Sequence, residues 1–401
     1  LHGGFGGAPK FPMSGALEFL IKRYAISRDD KIGNAIKNTL VSMANGGIHD
    51  QLGGGFHRYS TDDAWIIPHF EKMADDNAWL LRNYIDAYYA FNDDYFKEVA
   101  RGIINFLRRE LSHVDGGFYA SQDADVTPDD EGGYFLWRDE DFRGCLTDEE
   151  YRVLSTYFLH KNGEMRHDTS KMVLYITENT KELAKRLNMN EDNVKRLLDI
   201  GKKKLLSKRE ERQKPIIDKA MYTSLNGMLI SAFFKASIAL NDNAVKEFAV
   251  KSLKRISDIN ILDGKLLHAE GIDAFLDDYM NFIDALISAY NATQDKGYIE
   301  QADSYMTRCI EKFYDTENGG FFDTENEVIE MRLKGIEDSP HPSANSMGIV
   351  CLTNLSFLLG NTTYKGFAEK TLAHFSLAAK AMGIHGGYYF YALDNWFRTG
   401  R

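Results

Sequence analysis

The chain has 401 residues, 44% apolar and 12% aromatic, with a formal net charge of −11. This composition excludes disorder as the default state, and an acidic chain without a broad Lys/Arg stripe excludes a protein that tracks a nucleic-acid backbone. No apolar run approaches the ~18 residues of a membrane span, so neither nucleic acid nor membrane is expected as a partner.

In chain order, helical periodicity dominates. Phe70, Met73, Ala74, Ala78, Leu81, Ile85 and Tyr88 recur at three- and four-residue steps, the mark of one buried helix face. The same pattern predicts helices near 13–27, 31–45, 70–91, 93–112, 191–208, 218–240, 242–258, 273–292, 296–313, 342–359 and 364–380. Within 218–240, Ser224, Gly227 and Ser231 are small enough to let a neighbouring helix approach closely. The prolines, at 9, 12, 68, 128, 215, 340 and 342, fall mostly between these segments, where they do least damage. The basic run at 202–214 (KKKLLSKREERQK) reads as a solvated helix end.

One phrase recurs between helices: GGFGG (3–7), GGGFHRY (53–59), DGGFYAS (115–121), EGGYFLW (131–137), NGGFFDT (318–324) and HGGYYFY (385–391). Glycine pairs supply positive φ, and the aromatics after them pack as short extended segments against helix ends. Such echoes imply a repeated helical hairpin. Outer helices covering inner ones close into an all-α, (α/α) toroid whose mouth is made by the loops at one end. Residues 115–180 interrupt the pattern. FYAS and YFLW flanking the turn Asp123–Asp130 predict a β-hairpin, and MVLYIT (172–177) a further strand. No linker isolates this stretch, so 1–401 is expected to be a single domain carrying a small β-rich insertion.

Candidate chemistry is densest at 53–73. His57 and His69 near one cavity, with Glu71 beside them, would move a proton on and off a sugar carbon; Arg58, Tyr59, Trp65, Asp76 and Asn77 are candidate substrate contacts. His69 and Glu71 also suit the start of a helix, where acids are favoured. Asp123 and Asp125, two apart in an extended segment, share a side and are a candidate general-acid pair, or a polar turn. Asp278, with Asp277, Tyr279 and His268, is a further candidate; in a glycosidase pair the partner of the SQDAD aspartates is the other aspartate, Asp278 or Glu71. Ser343 caps a helix in PSANS, where Asn345 is a candidate sugar contact. His49 and Asp50 lie near the histidines, but metal-binding HxxxH or HExxH spacing is absent, as are nucleotide fingerprints and a serine elbow. No metal or cofactor is expected. Three dispersed cysteines, Cys145, Cys309 and Cys351, point to a reducing, cytoplasmic setting.

HGGFGGAPKFP (2–12), GGIHDQLGGGFHRYSTDDAWIIPHFEKM (46–73) and YASQDAD (119–125) closely resemble the YyaL/spermatogenesis-associated protein family. Arg209-x2-Arg212 with Pro215, Asp218-Lys219, Asn226-Gly227, FLDDY (275–279), GGFFDT (319–324) and PSANS (342–346) extend the resemblance over nearly the whole chain. The chain departs from the family at Leu225, where Trp is usual, and at Asp75, where Tyr is usual. The resemblance implies a toroid of the six-hairpin glycosidase class, similar in shape to N-acylglucosamine 2-epimerases and glucuronyl hydrolases. It also implies a thioredoxin-like domain as partner. This chain has no CxxC, so redox activity is not expected of it. The expected function is carbohydrate-active, with cofactor-free epimerase or isomerase chemistry placed ahead of glycoside hydrolysis. The alternative from another class is a non-catalytic module that binds a glycan or a protein.

Overall fold

A computed structural model describes residues 2–128, 130–327, 330–339 and 341–399. The expected turn residue Asp129 and the inter-helix Pro340 lie outside them. Helices form where the apolar periodicity demands a buried face: α1 (Ser14–Ser27), α2 (Asp30–Asn45), α3 (Ala74–Phe91) and α4 (Asp94–Glu110) open the chain. The interrupting stretch and its sequel carry α5 (Asp139–Cys145), α6 (Asp148–Phe158), α7 (Thr180–Leu187) and α8 (Glu191–Glu210). There follow α9 (Thr223–Leu240), α10 (Asn243–Asn260), α11 (Leu276–Thr293), α12 (Lys296–Phe313), α13 (Ala344–Leu359), α14 (Thr362–Met382) and α15 (Gly387–Thr399).

Helix α1 packs on α3, α3 on α9, α9 on α11, α11 on α13, α13 on α15, and α15 back on α1, which closes a ring. Helices α2, α4, α10, α12 and α14 lie outside it, each against its chain neighbour. At one end the connections are minimal and alike. Arg28-Asp29, Asn92-Asp93, Asn241-Asp242, Gln294-Asp295 and Gly360-Asn361 each place the first residue at positive φ and use the second as the N-cap of the outer helix. The left-handed residue ends one helix and the side-chain oxygen of the Asp or Asn accepts first-turn N–H groups of the next. Every long loop therefore falls at the other end, over the N-termini of the inner helices. That end is the mouth.

Three inner helices hold those loops by one device. Asn77 of α3 accepts from the Phe56 N–H (2.8 Å) and donates to its carbonyl (2.9 Å). Asn226 of α9 does the same to Phe118 (2.7 and 3.0 Å), and Asn345 of α13 to Phe321 (2.7 and 2.9 Å). Each clamped Phe follows a glycine pair at positive φ. A Cβ at Gly116 or Gly319 would lie 2.8 or 2.7 Å from backbone of the outer helix beneath, so only glycine fits.

The ring's axis is polar. The Arg82 guanidinium donates to Asp284 (2.8 Å) and to Ser231 (3.0 Å) and stacks 4.5 Å from the Trp79 ring, while Asn83 donates to Glu18 (2.8 Å). These groups come from α1, α3, α9 and α11, so each buried charge is matched from across the ring. The small face of α9 seats α11 closely, since a Cβ at Gly227 would lie 2.6 Å from Asn281 backbone. Contrary to the sequence reading of apolar runs, α9 is long and apolar enough to cross a membrane. Its apolar surface is buried against α3, α10 and α11.

The interrupting stretch differs from expectation. Ser121–Gln122 (β4) pairs with β3 (Lys72–Met73) and β5 (Ile217–Asp218), not with YFLW. YFLW instead lies in a turn whose Trp137 and Phe135 are buried, and α5 and α6 follow it. At 172–177 the backbone makes single bridges through Met172 and no strand. Trp137 joins the core of α5 to α8, while Tyr134 and Phe135 cluster with Phe70 and Val173. HGGYYFY likewise enters α15, because Gly387 sits against Ala16 of α1 and lets the two helices touch. The helix expected from 70 starts at 74, since β1 (Tyr59–Ser60) pairs with β2 (Pro68–His69) and β3 with β4. A small antiparallel sheet of β6 (Ile261–Leu262), β7 (Lys265–Ala269) and β8 (Ile272–Asp273) joins α10 to α11.

Asn345→Ala strands the N–H and carbonyl of buried Phe321, so unfolding by urea should show a loss of about 2–4 kcal/mol with the helical spectrum retained. A loss below about 1 kcal/mol would show that the clamp does not hold the loop.

Candidate active site at the mouth

A cavity of ≈ 280 Å³ opens over the N-termini of α1, α3 and α15, lined by Phe11, Arg58, Asp76, Leu80, Asp338 and His385 among others. Asp76 stands in the first turn of α3. Its Oδ2 is buried and has no hydrogen-bond partner, and burial, with the charge of Asp75 next to it, holds its pKa well above the ordinary carboxylate value. Asp338 is buried and accepts from the Tyr388 N–H (2.7 Å) and the Ser343 N–H (3.1 Å); burial still raises its carboxyl to about 7. His385 and His341 both act on Asp338 through space, and His341 also acts on Asp277, whose pKa burial raises. Asp323 is pushed to about 6 by desolvation and by Asp277. The mouth is thus an acidic basin with Arg58 and two imidazoles set into it.

Of the residues singled out in the sequence, several meet here. Arg58 lines the cavity and donates to Glu71 (3.2 Å), whose charge reaches Asp76. The other oxygen contact of Glu71 is His69 Nε2 at 3.7 Å, and His69 Nδ1 lies 3.0 Å from Glu131. Tyr59 stacks on His69 and packs on Phe11, so it backs the cavity wall. Asp125 belongs to the same rim, its pKa raised by desolvation and by Glu131; Asp123 is exposed and accepts from the Asp125 N–H (3.3 Å).

The others are placed elsewhere. His57 is buried, its Nδ1 2.7 Å from the Phe70 carbonyl and its ring against Phe70 and Phe135. Burial and the nearby Lys72 hold its pKa well below the usual imidazole value, so it stays neutral and does not face His69 across the mouth. Trp65 is fully buried and donates to the His2 carbonyl (3.0 Å). Asn77 and Asn345 are the loop clamps already described. Asp278 is buried and accepts from the backbone of Ser224 and Phe275 and pairs with His268 (3.0 Å), whose pKa this bond raises. Tyr279 packs between Tyr305 and Phe313 in the core. These six are drawn inward because their polar atoms complete backbone hydrogen bonding at helix starts and loops, or because their rings fill the core.

Two groups of residues escaped the sequence reading. Asp338 lies in a loop with no patterned neighbour, and His385 opens the HGGYYFY phrase, in a 3₁₀ turn over Gly383–Gly386, without having been singled out as a site residue. Asp50, Lys72 and Arg209 form a buried triad: Asp50 accepts from Lys72 (2.8 Å) and from Arg209 (2.8 Å), tying the mouth loop to α8. The solvated reading of the basic run therefore fails at Arg209, for which the Arg-x2-Arg resemblance was the available signal. Burial lowers Lys72 to about 8.

The ring of paired helices with a polar mouth defines the class as an (α/α) toroid. No protein-family model matches the chain. Among solved structures it superposes on a glycoside hydrolase family 76 α-mannanase of Bacteroides thetaiotaomicron, with a TM-score of 0.58, 13% identity, and 97% of this chain and 87% of the other covered. A cellobiose 2-epimerase of Bacillus thermoamylovorans gives a TM-score of 0.56 at 8% identity over 94% and 81%. In sequence it is 31% identical over 416 residues to human spermatogenesis-associated protein 20 and 32% to the rat protein, covering 92% of this chain and 52% of each relative. Over that shared part the chain belongs to the spermatogenesis-associated protein 20 family, and it spans about half the length of these relatives.

Two measurements test the electrostatics. Asp50→Ala leaves Lys72 and Arg209 buried without their shared anion, and denaturation should show a loss of about 3–5 kcal/mol. Asp338 binds its proton more tightly folded than unfolded, so its contribution to stability is present below about pH 4 and is lost as pH rises through about 7. The fall in stability between pH 4 and 7 should be shallower in Asp338→Asn; equal slopes would remove Asp338 as its source.

Proposed function

We propose that this chain is the carbohydrate-acting barrel of an enzyme that cleaves glycosidic bonds in the mouth cavity, with Asp76 as general acid. The observation that carries the reading is the carboxyl of Asp76: it faces the cavity, lacks a partner on Oδ2, and burial beside Asp75 raises its pKa well above the ordinary carboxylate value. Cleavage of an acetal needs such an acid at the leaving oxygen and a second carboxyl across the bond. Asp338 lines the same cavity and supplies that second carboxyl as base or nucleophile. Arg58 orients hydroxyls, while Phe11 and Leu80 offer an apolar face to the sugar ring. The fold neighbours include a mannanase and an epimerase, which agrees with a sugar in this mouth.

A second reading keeps the sugar and changes the reaction. His385 lines the cavity with Asp76, and an imidazole with a carboxylic acid suits proton transfer at a sugar carbon, as an epimerase requires. Three free cysteines, two of them buried, suit the proposed reducing, cytoplasmic setting.

Release of reducing ends from a panel of oligosaccharides tests the hydrolase. Asp76→Asn should lower it by about 10²–10⁴-fold with the fold intact. Turnover within about threefold of the unaltered chain would remove Asp76 from the chemistry. Deuterium entering C2 of a reducing sugar in heavy water, without chain cleavage, would select the epimerase.

A further inference from the structure

We infer that the cleft between the β1–β2 hairpin and the loop 162–167 is a second carbohydrate subsite, holding sugars of an oligomeric substrate beyond the one that reacts in the mouth. The inference rests on the mouth reading above. The cleft has a volume of ≈ 530 Å³, nearly twice that of the mouth cavity. Its lining is two-sided in chemistry. Ile67, Phe70 and Met165 contribute apolar surface, while Glu131, Asn162 and Arg166 contribute an acceptor, an amide and a donor. A sugar ring presents an apolar C–H face and an edge of hydroxyls that both donate and accept, which such a lining matches. Asp62, Glu131 and Glu164 on the same cleft disfavour a polyphosphate chain.

The cleft is joined to the mouth by side chains in contact. Pro68 and His69 are successive strand residues and so point to opposite faces of the hairpin. Pro68 lines the cleft, and His69 turns to Tyr59 and Glu71. Glu131 lines the cleft and meets His69 at 3.0 Å; His69 meets Glu71 at 3.7 Å; Glu71 meets Arg58, in the mouth cavity, at 3.2 Å. This line of polar groups runs over the rim along the path a glycan chain would take.

The cleft walls are also fixed before any ligand arrives. Asp62 accepts from the N–H groups of Ala64, Ile66 and Ile67, which locks the hairpin loop. Across the cleft, the Gly163 N–H donates to His160 and its carbonyl accepts from the Val173 N–H, which holds the start of the opposite loop. A subsite with little left to order on binding adds affinity for each sugar it contacts.

The test uses the Asp76→Asn chain, which binds without turnover on the mouth reading. Binding of manno-, cello- and xylo-oligosaccharides of two and six units is measured by calorimetry, with and without Asn162→Ala, Met165→Ala and Arg166→Ala together. In at least one series the hexamer should bind about tenfold or more tighter than the dimer, and the triple substitution should abolish that gain without changing dimer affinity. Equal affinity for both lengths, or a gain that survives the triple substitution, overturns the subsite and leaves the mouth reading standing. No binding of any sugar, dimer included, overturns both. Arg166→Ala alone, at an exposed position, provides a milder variant should the triple one unfold, and the same reduction in hexamer gain is expected of it.

Discussion

The structure depends on the grip of three inner-helix asparagines on three Gly-Gly-Phe turns. Each amide both donates to and accepts from one backbone unit, a pairing that a hydroxyl or a carboxylate cannot reproduce. It fixes where the chain leaves an outer helix and enters an inner one, and so fixes the height of the mouth loops over the ring. Both glycines before each Phe stand at positive φ, and the first of each pair also has backbone lying too close for a Cβ. With these turns held, the first turns of the inner helices point their side chains into a common space, and Asp76 becomes a mouth residue because Asn77 beside it is pinned.

The polar axis around Arg82 has a related consequence. Charges from different inner helices pair there, across the ring's axis. Lower in the ring, despite desolvation, the Lys235 and Arg82 charges hold the buried Glu18 carboxyl below its ordinary value. At the mouth, Asp76, Asp277 and Asp338 are partly desolvated and lack a paired cation at close range, which raises their pKa values. The same fold thus separates structural carboxylates from candidates for proton transfer, and the difference lies in what stands opposite each one.

The buried Asp50–Lys72–Arg209 triad binds the mouth loop to α8, and through α8 to the inserted helices α6 and α7, between which lies the loop 162–167 that lines the far side of the cleft. In sequence these residues lie inside the same dense segment as His57 and His69, or in a run of ordinary surface charge. Their role could be read only once the segments were brought together. The density of reactive side chains at 49–73 therefore reports two things at once: a tie that is wholly buried, and a rim that is half exposed.

Apolar periodicity over eighteen or so residues is a local property, and it placed the eleven long helices to within a few residues. Repetition of the Gly-Gly-aromatic phrase told of stacked hairpins for the same reason, since positive φ is demanded by the chain itself. Short helices α5 to α7 were not legible, because aromatic runs there serve a core whose other half is contributed by α8. The site was legible only in part. Arg58, Glu71 and Asp76 were named by their dense surroundings, whereas Asp338, in an unpatterned loop, and His385, in a phrase read only as a glycine turn, lie some 260 to 310 residues away along the chain. Whether a His or an Asp faces water, a partner or a carbonyl depends on atoms from distant segments. That is why His57 and Asp278, catalytic candidates in the sequence where Asp76 was only a substrate contact, were settled by tertiary packing as members of the interior.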